Sequence, residues 1–88
     1  MKIVKIHYSS GFLRALRKLP VEPSRELDER IELFKSDCFH SRLKTHKLKG
    51  TLQGHWAFSL NYRYRILFEF VGKGEVLFED TGDHSIYQ

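Results

Sequence analysis

The sequence predicts an α+β fold in the order β-α-α-β-β-β, with an N-terminal helical hairpin packed on a small antiparallel sheet. Three observations lead there. Apolar residues recur with a period of about 3.6 from Phe12 to Phe34, and with a period of about 2 from Lys44 onward. Pro20, Gly50 and Gly54 stand where these runs break, and "VGKGE" places two more glycines at a reversal. At 88 residues, with 41% hydrophobic and 14% aromatic, the chain has material for one compact core and is expected to form a single domain over 1–88. A domain this small buries a limited share of its surface and is expected to be modestly stable.

The elements follow in chain order. "KIVKIHY", residues 2–8, alternates Ile3, Lys5 and His7 with Val4, Ile6 and Tyr8 and reads as a strand. Ser9 or Ser10 caps a helix on which Phe12, Leu16 and Leu19 share a stripe, and Pro20 ends it. Pro23 starts a second helix, running through Lys35, whose stripe is Leu27, Ile31 and Phe34. Its charged residues, Arg25 and Arg30 included, are expected to be plain solvated surface. Thr45 to Gly50 reads as a short strand, followed by one in which Trp56, Phe58 and Leu60 alternate with His55, Ala57 and Ser59. Asn61 and Tyr62 supply a turn. In the next strand Tyr64, Ile66, Phe68 and Phe70 face the core, with Arg63, Arg65, Leu67 and Glu69 opposite, and "EVLFED" closes a meander of three or four strands.

Net charge is +4, and from Cys38 to Phe68 there are six Lys or Arg (Arg42, Lys44, Lys47, Lys49, Arg63, Arg65) and no Asp or Glu. A sustained single-sign segment favours phosphate or an acidic protein partner. No apolar run approaches the length of about 18 residues that a membrane span needs, and Met1 opens no secretory signal. The chain is therefore expected in the cytoplasm, away from membranes. The lone Cys38 agrees with a reducing compartment.

Two histidines stand where they suit acid-base chemistry. His46 lies among Lys44, Lys47 and Lys49 in "THKLKG", and His84 follows the last strand in "DTGDHSIY". A last hairpin turning near Gly72 and Lys73 would set Arg65 opposite Asp80 and bring the His84 loop beside Arg63. Such a set suits cleavage of an RNA phosphodiester: one group takes the 2′-hydroxyl proton, another protonates the leaving 5′ oxygen, and arginine stabilises the transition state. Tyr87 is placed to stack on a base or to cover a sheet edge. No cofactor and no metal is required; Asp80, Asp83 and His84 lack a recognised ligand spacing.

The order of elements, "HKLKG" before a Trp-containing strand, "YRYRILFEF" and a final "TGDHSIY" together resemble the RelE/ParE superfamily of small bacterial toxins. The likeness is nearest the RelE/StbE and YafQ-type branch and runs from "FLRALRKL" to Tyr87. It implies a RelE-like toxin domain from a type II toxin-antitoxin system. The implied activity is that of an mRNA interferase, an endoribonuclease that cuts mRNA in the ribosomal A site, contacts rRNA and is neutralised by a cognate antitoxin. His46 matches the His of H-x-L-x-G and His84 that of T-G-x-H, implying acid-base roles. Tyr87 would lie against a base, Arg65 would contact the scissile phosphate, and Arg42, Lys44, Lys47 and Lys49 would bind RNA. The sequence departs from YafQ-type members where they carry Asp-Trp and, before T-G, Arg: here Arg63-Tyr64 and Asp80 stand there, with the charges exchanged. A ParE-like inhibitor of DNA gyrase, which cleaves nothing, and a degenerate toxin that mainly binds its antitoxin are the alternatives. The histidine pair favours the enzyme, while Asp80 keeps the degenerate reading open.

Overall fold

In the computed structural model, which describes residues 1–87, the chain forms β1 (Lys5–Tyr8), α1 (Ser10–Arg17), α2 (Val21–Ser36), β2 (His46–Lys47), β3 (Trp56–Ser59), β4 (Arg65–Gly72) and β5 (Glu75–Gly82). Short 3-10 turns lie at Ser41–Leu43, Gly50–Leu52 and His84–Tyr87. Ser9 caps α1, its hydroxyl accepting the Phe12 N–H at 2.9 Å. Helix α2 begins directly after Pro20, with Pro23 in its first turn, where a missing N–H leaves no helical bond unmade.

The strands form one sheet in the order β1-β5-β4-β3-β2. The α1-α2 hairpin carries the chain from β1 at one edge to β2 at the other, and the meander β2 to β5 then returns. The α+β layout is the expected one, but the sheet is mixed, because β1 runs parallel to β5. Backbone bonds hold β1 there. Val4 N–H reaches the Gly74 carbonyl at 2.8 Å, and Ile3 N–H reaches that of Lys35 at 2.9 Å. The strand expected over Thr45 to Gly50 contracts to His46–Lys47, because Gly50 takes a left-handed φ of +68° and opens a 3-10 turn.

Phe34 joins the layers. Its ring stacks on Phe58 of β3 at 4.4 Å and meets Phe68 of β4 edge-on at 5.0 Å and Phe78 of β5 at 5.5 Å. Phe12 from α1 closes on Phe78 at 5.4 Å, and all five rings are buried. The periodicities of 3.6 and 2 thus meet in one aromatic cluster.

In the last hairpin Gly74 takes φ +69° and Gly72 pairs with Glu75. The register then shifts between Leu67 and Phe68, which pair with Asp80 and Phe78, so Glu79 is the extra residue of a bulge. Phe34→Ala is expected to lower unfolding free energy by about 3–5 kcal/mol in urea titrations, whereas Leu13→Ala on the exposed side of α1 should change it by no more than about 0.5 kcal/mol.

Candidate active site

The sheet face opposite the phenylalanine core carries His46, Arg65 and Asp80 of the residues singled out from the sequence. Across it, pairing sets His46, Ala57, Leu67 and Asp80 in one row, and Ser59, Arg65 and Gly82 in the next. With strands about 4.8 Å apart, His46 and Asp80 lie roughly 14 Å from each other. A group spanning them must be longer than a single nucleotide step.

His46 is exposed, and its Nδ1 lies 2.9 Å from the Lys44 carbonyl oxygen. A carbonyl only accepts, so Nδ1 is the donor in this contact and Nε2 is the ring nitrogen left to face a ligand. The carbonyl is aimed by an unusual backbone, because Lys44 closes the Ser41–Leu43 turn in the left-handed region at φ +52°.

Arg65 is half-buried and held from behind. Its Nη1 donates to the carbonyls of Asn61 at 2.8 Å and Tyr64 at 3.1 Å, and no carboxylate pairs with it among the described residues. It lines a concavity of about 340 Å³ with Arg30, Arg42, Lys44, Ser59, Asn61 and Tyr62. Four of those seven residues are Arg or Lys and none is acidic, which makes the hollow a receptor for anions. Arg30 was expected to be plain surface. It lies one turn before Phe34, at the flank of the buried stripe, and that spacing is the signal that would have found it.

Asp83 opens the last 3-10 turn by accepting the Ser85 N–H at 3.0 Å. That bond holds its carboxyl below the usual range, with Arg63 and His84 adding to the effect. His84 is exposed and lies edge-on to Tyr87 at 5.8 Å. The Tyr87 hydroxyl is buried and has no hydrogen-bond partner among the described residues. Burial pushes its phenol above the ordinary value, and the neighbouring Arg65 pulls the other way. It is therefore a proton-bearing group held beside Arg65.

Several expectations change. Arg65 stands opposite Gly82 rather than Asp80, because the hairpin reverses with Gly72 opposite Glu75, later than expected, and the two register shifts along β4 cancel; Asp80 faces Leu67 and accepts its neighbour Thr81 N–H at 2.9 Å. Arg63 precedes β4 in a turn where Asn61 Oδ1 accepts the N–H groups of Arg63 and Tyr64, and its guanidinium sits 6.0 Å from the Tyr64 ring. No ion pair joins Arg63 to Asp80 among the described residues, so the exchanged charges do not form an exchanged pair. Ser59, though on the face away from the phenylalanines, is buried at 6% exposure. Lys47 pairs opposite Trp56 and places its ammonium 5.7 Å from that ring, on the face away from His46. Lys49 lines a separate hollow with Lys47, Leu48 and Gly54. Of the basic candidates, only Arg42 and Lys44 share the Arg65 hollow.

The Asp80, Asp83 and His84 group is not brought together as a ligand set. Among the described residues that property belongs to His55, Glu69 and Glu79, which pairing and the bulge gather at the other end of the same face. His55 Nε2 lies 3.4 Å from Glu69 Oε2 and 2.5 Å from Glu79 Oε2. Burial raises the Glu79 carboxyl above the ordinary value, His55 opposes this, and Glu69 raises it again.

No family model matches the chain, and no curated protein sequence matches it. Solved structures do. A YafQ mutant from E. coli superposes with a TM-score of 0.75 at 18% identity, over 92% of this chain and 93% of that one. A YoeB/ParE toxin from Agrobacterium tumefaciens gives 0.74 at 16% identity, over 92% and 99%. The toxin-antitoxin complex RelBE2 from Mycobacterium tuberculosis gives 0.70 at 18% identity, over 97% and 95%. The chain has the fold of the RelE/ParE toxins. Within that fold its likeness extends to YafQ, YoeB and RelE structures alike.

Two outcomes follow from this geometry. Lys44→Gly should relieve a left-handed conformation that costs a side-chain-bearing residue about 1 kcal/mol, so urea unfolding should show equal or higher stability. Glu79, whose folded carboxyl is raised, binds its proton more tightly in the native state than in the unfolded one. Its contribution is thus complete below the unfolded value of 4.5 and is lost as pH rises through the folded value. In EDTA-containing buffer, Glu79→Gln should abolish that part of the decline in a pH series of urea titrations.

Proposed function

We propose that the chain is the toxin of a type II toxin-antitoxin system and acts in the cytoplasm as a ribosome-dependent mRNA endoribonuclease. The observation that carries this reading is the acid-free hollow in which Arg65, tethered by two carbonyls, stands with Arg30, Arg42 and Lys44. A phosphodiester matches its charge and offers acceptors to the Arg65 guanidinium, which pairs with no carboxylate among the described residues, while Arg42 donates to Glu29 at 3.5 Å. The RelE/ParE fold and the unengaged Nε2 of His46 support the same reading.

In the proposed reaction His46 Nε2 takes the proton of the 2′-hydroxyl, and the resulting oxygen attacks the adjacent phosphorus. The bond to the 5′ oxygen breaks, and that oxygen takes its proton from His84 or from Tyr87. The products are a 2′,3′-cyclic phosphate and a 5′-hydroxyl end. Arg65 stabilises the charge that develops on the equatorial oxygens. Buried beside Arg65, the Tyr87 hydroxyl gains from the substrate the partner it lacks in the free protein. Arg42 and Lys44 hold flanking phosphates and rRNA, and Asp80 orients groups at the far end of the His46 row. An antitoxin segment rich in acidic residues neutralises the toxin by covering this basic face.

Primer extension on a reporter message in a reconstituted translation system tests the reading. New 5′ ends should appear within the A-site codon only when ribosomes are present. His46→Ala should reduce their rate of appearance by about 10²- to 10⁴-fold and Arg65→Ala by about 10²- to 10³-fold. An intact message with wild-type protein that still arrests growth in cells would overturn the ribonuclease and leave gyrase inhibition. An intact message without growth arrest would leave the antitoxin-binding role.

A further inference from the structure

We infer that His55, Glu69 and Glu79 form a binding site for a divalent cation of the zinc type, apart from the Arg65 hollow and independent of the proposed cleavage. Three donors from three positions of the sheet converge: His55 directly before β3, Glu69 on β4 and Glu79 on β5, with ligand atoms all within 4.8 Å of one another. The backbone holds them. Leu48 N–H reaches the His55 carbonyl at 2.9 Å, and Ser9 Oγ donates to the Glu79 carbonyl at 3.1 Å. The bulge supplies the third ligand, since Glu79 is the extra residue that the slip between Leu67 and Phe68 leaves on the face of Glu69.

A plain ion triad leaves this cluster unsatisfied. Two carboxylates share one imidazole, which can neutralise only one of them even when protonated. Moreover, Glu79 Oε2 is buried 2.5 Å from His55 Nε2 yet makes no aligned hydrogen bond. A divalent cation neutralises both carboxylates and uses Glu79 Oε2, which no protein hydrogen bond uses. Zinc bound at about 2.1 Å needs its ligands roughly 3.4 Å apart. His55 Nε2 and Glu69 Oε2 already stand at 3.4 Å, and rotation of the Glu79 carboxylate opens the remaining edge. One imidazole and two carboxylates make a borderline donor set, with water completing a tetrahedron. Binding requires neutral His55, so any proton held between His55 and the glutamates is released. The ion would pin β3, β4 and β5 together across the bulge.

The test is titration of the EDTA-stripped full chain with Zn²⁺, followed by calorimetry and by long-range ¹H–¹⁵N spectra of the histidine rings. One equivalent should bind, with the His55 Nε2 resonance moving to its metal-bound position. Glu69→Gln and Glu79→Gln, each of the same shape, should weaken binding by at least the roughly 10- to 100-fold that loss of an outer-shell partner costs. A His55 resonance that stays in place while other histidines respond would overturn the site. So would unchanged affinity in both glutamine variants whose amide spectra show an intact fold. The wild-type spectrum decides the matter even where a variant fails to fold.

Discussion

The seating of Phe34 on Phe58, Phe68 and Phe78 is the constraint on which the rest depends. One helical side chain touches three adjacent strands, which fixes which face of the sheet is apolar. Since strand side chains alternate, everything between those phenylalanines must face the other way. His55, Arg65, Glu69 and Glu79 are polar in a chain with a small core, and that face is the one where their charges keep contact with solvent. The polar chemistry of the molecule is thus a by-product of where one aromatic cluster lies.

Much of this was legible in the residues. The change of apolar period after Lys44, the Ser9 cap, the stripe ending at Phe34 and the Asn61 turn each have local causes, and local causes can be read along a chain. The parallel partner of β1 was not legible, because it is chosen by contacts between residues seventy apart, such as Lys5 with Glu75. The register of the last hairpin failed for a subtler reason. Glycines at 72 and 74 allow more than one reversal, and the one adopted, with Gly72 opposite Glu75, moves Asp80 away from Arg65.

For the candidate site, residue types were legible and their company was not. Lys44, Lys47 and Lys49 look equivalent in "KTHKLKG", yet one lies in the Arg65 hollow, one sits over Trp56 on the opposite face, and one lines a separate hollow. A two-residue strand separates them, since alternation sends His46 and Lys47 to different sides. Conversely, Arg30 joined the hollow from a helix whose charges alternate in sign and look like ordinary surface. His55, Glu69 and Glu79 are far apart along the chain and share no motif. Only the sheet, with its bulge, makes them neighbours.

The bulge at Glu79 also gives the open face two electrical poles. Four basic side chains gather near Ser59 and Gly82, while two carboxylates gather around His55, four residues away along β3. At about 3.3 Å per residue the poles are roughly 13 Å apart. An anionic strand laid on this face is drawn in at one pole and repelled before it reaches the other, so it must leave the surface within that length. On the proposed reading, the face would measure out a short segment of a polymer and assign it a direction. A cation bound between the carboxylates would erase the second pole and turn the same face into a longer track.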